Sequence, residues 1–226
     1  MPSFEPIYAR AVSRHGQDLA LRLPEVRTPD ELRATPDDRY LAQMTQGVFQ
    51  AGFVWRVIQA KWPGFEEAFR GFDPQALLGM EADELAALRQ DTRIVRNGQK
   101  IDATLKNALW VNHISEEYGG FGSFLADWPQ DDIIGLWSAL KKQGARLGGD
   151  TGPRFLRRSG VDTFVLTSDV KQALIGAGVE ITKGTSQRDQ RAAQATFLEW
   201  REETGMPLAH LSVIAASSVG EVYGEV

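Results

Sequence analysis

Residues 146–165, RLGGDTGPRFLRRSGVDTFV, place four glycines, one proline and four arginines in twenty positions. Helical pattern lies on both sides of the glycines: an apolar pattern over 132–145 precedes them, and PRFLRRS over 153–159 follows. Glycine takes positive φ at no steric cost, and proline is tolerated at the first turn of a helix, where its missing N–H costs nothing. The segment therefore reads as helix, glycine hairpin, helix, with Pro153 opening the second helix. That reading limits the fold, because two helices joined by so short a turn must pack closely, and everything around them has to supply faces of helical period.

The rest of the chain does so. Asp37-Asp38 precede a helical pattern over about 39–53, and Val57, Ile58, Trp62, Phe65 and Phe69 repeat at helical spacing over 55–69. Asp73 followed by Pro74 predicts an N-cap and first helical residue, leading into ADELAALRQ. A long helix is predicted from about Gly98 to Tyr118, with Ile101, Leu105, Ala108, Leu109 and Val111 to His113 facing inward. Further helices are expected at 169–177 behind Ser168, at 187–204 with Phe197, Leu198 and Trp200 partly buried, and at 207–218. Only Phe164-Val165-Leu166 hints at extended chain. The predicted class is all-α, with residues 1–226 forming a single two-lobed helical domain and the hairpin at about 140–160.

Length and composition bound the function. A chain of 226 residues with 42% hydrophobic content can bury a substantial core. No run approaches the ~20 apolar residues of a membrane span, and MPSFEPIYARAV lacks the charged start and apolar run of a signal peptide. A soluble cytoplasmic monomer with no membrane partner is the expectation. With no cysteine there are no disulfides, thiolate nucleophiles or thiolate metal ligands. His15, His113 and His210 have no ligand-like spacing, so neither a metal nor another cofactor, zinc included, is expected.

Charge singles out the hairpin. The protein carries a net charge of -5, yet Lys141 to Gly160 holds six basic residues against the one acidic Asp150. Glycines turn backbone N–H groups outward, and the N-terminus of the second helix adds partial positive charge. Gly148, Gly149, Thr151 and Gly152 with Arg154, Arg157 and Arg158 thus form a candidate cradle for an anion, and the arginines suit nucleic-acid phosphate. A glycine turn between packed helices with a solvated basic face is the structural alternative. Asp162 follows in Val161-Asp162-Thr163. A carboxylate there suits glycosidic chemistry, where it stabilises an oxocarbenium-like sugar or orients water. It is equally readable as a turn residue bonding its own backbone.

Four segments, in order, carry a resemblance: QAGFVW (50–55), FEEAFRGFDPQALLGM (65–80), IVRNGQKIDATLKNA (94–108) and LKKQGARLGGDTGPRFLRRSG (140–160). They resemble the DNA-3-methyladenine glycosylase I family over roughly residues 40–165. The resemblance implies a helix-hairpin-helix DNA glycosylase fold, two helical lobes around a cleft that receives a flipped base, with damaged DNA as partner. Two departures accompany it. The family's usual acidic residue three positions before Q-A-G falls on Gly47, and its cysteine and histidine zinc site has no counterpart in a chain without cysteine. The wider helix-hairpin-helix superfamily carries a catalytic aspartate after the hairpin, and Asp162 is similar to it.

Trp55 matches the family's pocket tryptophan, and such an enzyme must hold an extruded base on aromatic faces. Phe49, Phe53 and Trp110 are candidates for the same wall, although aromatics at helical spacing also read as core. Gln50, with amide donors and acceptor, suits either a base edge or helix packing. Phe121, Phe124 and Trp128 read as closing the lobe interface, and Lys100 as a solvated helix start or a second phosphate contact. The hairpin carries no lysine from Gly148 to Gly152, so a monofunctional hydrolysis of the N-glycosidic bond of an alkylated purine is expected, with no strand-cleaving step. Two alternatives stand beside it: a non-catalytic helix-hairpin-helix DNA-binding or damage-sensing protein, and an all-helical domain whose basic groove takes an acidic protein.

Overall fold

In the computed structural model the described residues are 2–219, and among them every regular element is helical. The order is α1 (Glu5–His15), α2 (Asp18–Leu21), α3 (Pro29–Ala34), α4 (Asp37–Gln50), α5 (Trp55–Ala60), α6 (Trp62–Ala68), α7 (Pro74–Leu78), α8 (Ala82–Leu88) and α9 (Gly98–Tyr118). Then follow α10 (Phe121–Ala126), α11 (Ile133–Gln143), α12 (Thr151–Arg158), α13 (Ser168–Gly176), α14 (Gln187–Thr204) and α15 (Leu208–Ser217). The chain divides into two compact units: Met1–Val26 with Pro129–Gly135 and Gly160–Val226, and Arg27–Trp128 with Leu136–Ser159.

The first unit forms around Trp200 of α14, which is fully buried. Its ring lies 5.0 Å from Phe4 and 5.2 Å from Phe197, and Phe197 stacks on Phe164 at 4.6 Å. The indole N–H would be an orphan there, and it donates to the carbonyl of Pro2 at 2.8 Å. α15 is apolar nearly all round and accordingly buried on most sides, from Leu208 and Ala209 to Ile214 and Ala215. α1 contributes Ile7 and Ala11 to the same core.

The second unit is organised by α4 and α9. α4 buries Tyr40, Leu41, Met44, Val48 and Phe49. Asn97 caps α9 by accepting from the Lys100 N–H at 3.2 Å, and Gly119 ends it in the left-handed conformation. The buried stripe of α9 is Asn107, Ala108, Trp110, Val111 and Ile114. Leu109 is 59% exposed and His113 faces solvent, which corrects the inward stripe expected from the sequence by about one residue's rotation. Asp73 caps α7 as expected, accepting from Gln75 N at 2.8 Å and Ala76 N at 3.1 Å. Phe121 and Phe124 pack inside this unit on Trp110, at 5.2 and 6.4 Å.

α3 had no counterpart in the sequence reading. It is set by a reciprocal capping box in which Thr28 N donates to Glu31 at 2.8 Å and Glu31 N donates to the Thr28 hydroxyl at 3.3 Å.

The hairpin between α11 and α12 differs in register from its expected form. α12 begins at Thr151, so Pro153 lies at the third helical position and Gly152 inside the first turn. Only Gly149 among the hairpin glycines has positive φ (+61°), while the turn begins with Arg146 itself in left-handed conformation (φ 60°). A non-glycine residue there is costly unless the surroundings impose it. Asn107 imposes it: its side-chain oxygen accepts from Ala145 N at 2.7 Å and its amide donates to Ala145 O at 3.1 Å. Gly152 is needed for proximity, since a Cβ there would sit 2.5 Å from the Leu147 carbonyl oxygen.

Two stability measurements follow from this packing. Trp200→Ala should destabilise the fold by about 3–5 kcal/mol, read as a lower urea midpoint at unchanged m-value. Gly152→Ala, favourable by helix propensity alone, should instead cost about 1–3 kcal/mol because the new methyl meets a backbone oxygen that cannot step aside. A neutral or stabilising Gly152→Ala would show that the close approach is absent.

Candidate functional site

Residues 51–57, the end of QAGFVW and the start of α5, are exposed without interruption. They include Phe53 (43% exposed), Val54 (63%) and Trp55 (48%), an apolar tip that a folded protein has no internal reason to present to water. Of the two readings of Phe53, pocket wall or core, its exposure removes the core one, and Trp55 is available to a ligand at the first position of α5.

The tip is held by Lys100. The last carbonyls of a helix lack intrahelical partners, and a cation placed there is favourable. The Lys100 ammonium, 7% exposed, donates to Phe49 O at 3.0 Å and Ala51 O at 2.7 Å, at the end of α4 where the chain turns into the tip. It lies 5.8 Å from the centroids of both Phe49 and Phe53. Burial pushes its pKa below the ordinary lysine value, with the nearby charge of Arg146 adding to the effect. Lys100 is therefore neither a solvated helix start nor a phosphate contact, which corrects both expectations.

Two other aromatic candidates are core. Phe49 is fully buried with its ring edge-on to Phe65 at 4.7 Å, and Trp110 is 7% exposed, donating its indole N–H to Gln143 at 2.9 Å. Both are removed from the pocket wall that the sequence suggested. Their helical spacing could not separate core from pocket.

On the hairpin, Gly149, Asp150 and Arg154 are exposed and Gly148 and Thr151 are half-buried. Asp150 makes no side-chain cap to α12, and Arg154 approaches Asp150 only at 4.0 Å. Gly152 is buried against Leu147, so its place is structural. Arg157 is half-buried. Arg158 turns away from the hairpin's outer face: its guanidinium donates to the side-chain oxygens of Gln46 and Gln50, each at 3.0 Å. That corrects its reading as a phosphate contact. Burial, followed by the charge of Arg154, lowers its pKa from the ordinary arginine value.

Beside it the Ser159 hydroxyl donates to Gln43, so glutamines at 43, 46 and 50 face α12 from one side of α4. Three glutamines at spacings of three and four along α4 were the available signal for this contact. A Cβ at Gly47, in the same stretch, would meet Thr151 Cγ2 at 3.5 Å.

Asp162 belongs to the first unit. It is half-buried, and its Oδ1 accepts from Ala209 N at 2.8 Å in the first turn of α15, a position where an anion is favoured. The hydrogen bond is made to a distant helix and not to its own turn. No cluster of three or more metal-ligating side chains occurs among the described residues.

Comparison with known proteins gives these arrangements a lineage. The chain is 36% identical to the DNA-3-methyladenine glycosylase of Haemophilus influenzae, over 45% of this chain and 65% of that protein. It is 29% identical to DNA-3-methyladenine glycosylase 1 of Escherichia coli, over 45% and 64%. The matched regions thus span just under two thirds of these relatives.

Among solved structures it is similar to 3-methyladenine DNA glycosylase I from Staphylococcus aureus (TM-score 0.51, 22% identity, 69% of this chain and 85% of that one). It is also similar to the Methanocaldococcus jannaschii 8-oxoguanine glycosylase/lyase in complex with DNA (TM-score 0.53, 11% identity, 93% of each chain). Both likenesses establish the helical glycosylase fold. The family model for methyladenine glycosylase matches residues 33–146, from α3 through the apolar tip, Lys100 and Asn107 to the left-handed Arg146. With half of its length, including the tip and the helix that holds it, matched in this way, the chain belongs to the methyladenine glycosylase family.

Proposed function

We propose that the protein is a base-excision DNA glycosylase that hydrolyses the N-glycosidic bond of an alkylated purine such as 3-methyladenine, acting on damaged DNA as a cytoplasmic monomer. The observation that carries this reading is the uninterrupted exposure of Phe53, Val54 and Trp55 on a loop that Lys100 holds in place. Apolar and aromatic side chains offered on a rigid support suit a base taken out of its stack, with stacking worth about 1–3 kcal/mol per base.

The hairpin supplies the second requirement, a grip on the backbone. Gly148, Gly149 and Thr151 present main-chain N–H groups at the uncapped start of α12, and Arg154 and Arg157 add charge.

Asp162 supplies the third. In the hydrolysis the C1′–N bond breaks, the departing base takes the electron pair, and water forms the new C1′–O bond after losing a proton. An ionised carboxylate stabilises the cationic sugar or receives that proton. A purine made cationic by alkylation already leaves readily, so little acid assistance to the base is needed. No lysine stands between Gly148 and Gly152 to form a Schiff base, which favours a monofunctional reaction.

The test is release of free base from alkylated duplex DNA by the wild type and by Asp162→Asn, with binding to an abasic-site duplex measured on both. The variant should lose about 10²–10⁴-fold in release while binding within a few-fold of wild type. Binding of both should weaken as salt rises, with a log–log slope of about -0.9 per phosphate contacted. Salt-dependent binding without base release by the wild type, across a panel of alkylated bases, would leave a DNA-binding protein without catalysis.

A further inference from the structure

Among the described residues, Arg70, Phe72 and Arg146 are the non-glycine positions with φ in the left-handed region. Such a backbone is strained for a residue that carries a Cβ, and it persists only where something offsets the strain. For two of the three the fold supplies the reason. Phe72 is fully buried and stacks on Trp62 at 5.3 Å and on Phe69 at 5.5 Å. Arg70 donates to the Ala76 carbonyl at 3.0 Å and to Glu84, tying its turn to α7 and α8. Arg146 has no such duty. Its side chain is exposed, and it donates to Gln99, itself exposed, in the first turn of α9. Asn107 fixes the backbone of this turn through Ala145 and makes no demand on the side chain at 146, where glycine would take φ 60° without strain.

The position of the guanidinium gives the ligand. Arg146 opens the hairpin turn, and Gln99 precedes Lys100, whose ammonium lies beneath the tip against the carbonyls of Phe49 and Ala51. The Arg146 side chain therefore runs from the hairpin toward the foot of the tip, within the second unit. Its charge adds to the burial that lowers the Lys100 pKa. Lys100 is buried and committed to two carbonyls, which leaves contact with an outside anion to Arg146. Gln99 occupies only part of a planar fork of five donors, and the remainder suits the paired oxygens of a phosphate.

We propose that Arg146 binds the DNA phosphate beside the nucleotide extruded onto the tip, linking the grip of the hairpin to the seat of the base. The inference rests on the glycosylase reading above and adds a contact to it. Because the guanidinium lies toward the tip, the contact forms with a nucleotide drawn out there and not with a duplex held by the hairpin alone.

The test measures binding to an undamaged duplex and to an abasic-site duplex over about 50 to 200 mM salt. Arg146→Gly relieves the strained φ and should unfold in urea at a midpoint no lower than wild type. Its affinity for the abasic-site duplex should nevertheless fall by about tenfold, and its log–log salt slope by about 0.9. Arg146→Gln, which removes the charge at similar length, should show the same loss, and both variants should change binding to the undamaged duplex by less than about threefold. Arg154→Gln should weaken both duplexes alike.

A urea midpoint lowered in Arg146→Gly and Arg146→Gln together would overturn the proposal by showing a structural duty for the side chain. An unchanged slope on the abasic-site duplex would overturn it too, as would equal losses on the two duplexes, which belong to a general grip. The glycosylase reading fails separately: a wild type that shows the Arg146 effect but releases no base keeps the contact and loses the catalysis. Base release with no Arg146 effect on binding loses the contact alone, and a wild type that binds neither duplex removes both.

Discussion

The ammonium of Lys100, buried and donating to the carbonyls of Phe49 and Ala51, is the contact on which the candidate site depends. α4 ends there with its C-cap residue Ala51 already extended. A helix end of this kind frays unless something satisfies its last carbonyls. Here a neighbouring helix does so with a charged group at the negative end of the α4 dipole. The desolvation that lowers the Lys100 pKa shows that this has a cost, offset by two charge-assisted hydrogen bonds and the nearby aromatic faces. The gain is a fixed exit direction for a loop that presents Phe53 and Trp55 to solvent.

α9 performs the same service a second time, seven residues on. Asn107 pairs with both polar groups of Ala145 as a strand neighbour would, in a fold whose described residues contain no strand. Lys100 and Asn107 lie two helical turns apart on one face, so a single rigid helix sets the positions of the apolar tip and of the hairpin. Both connections run from side chain to backbone. They therefore fix the course of the main chain by side-chain-to-backbone bonds, which leaves Trp55 and Arg154 exposed at the two loops. α4 and α12 are then joined by glutamines and Arg158, a polar contact in which one guanidinium donates to two amide oxygens.

How much of this was legible follows from what each signal measures. Periodicity located α4, α9 and α14 because long apolar stripes overdetermine them. Caps located α7, since Asp73-Pro74 is a local device. The same kind of device, Thr28-Pro29-Asp30-Glu31, preceded α3 in the sequence but was not recognised, because only six residues of helix follow it and no stripe supports it. α1 has Pro6 in its first turn and only Ile7 and Ala11 buried, too sparse a face to stand out. Phe49, Phe53 and Trp110 all sit where helical spacing allows either core or pocket, and tertiary burial alone separated them. Lys100 looked solvated because lysine usually is. Its partners are carbonyls, which carry no sequence signature. The hairpin's register slipped by two residues for a related reason: Pro153 and Gly152 were read as punctuation, while Gly152 is there for a close backbone approach inside the helix.

Arg158 shows why charge counting alone misassigns roles within a basic cluster. Arg154, Arg157 and Arg158 stand at i, i+3 and i+4 on one side of an eight-residue helix, yet they differ in what they meet. Arg154 faces solvent near the start of α12, where the helix dipole and open backbone N–H groups favour an anion. Arg158, one turn on, meets α4. The cluster thus divides between two tasks, one electrostatic and unspecific, the other directional. The first depends on charge and would fade with salt. The second depends on five donors in a planar fork that holds two amide oxygens at once, geometry that lysine cannot reproduce. For that reason Arg158 belongs to the packing of α12 on α4, and the exposed charge of α12 is that of Arg154.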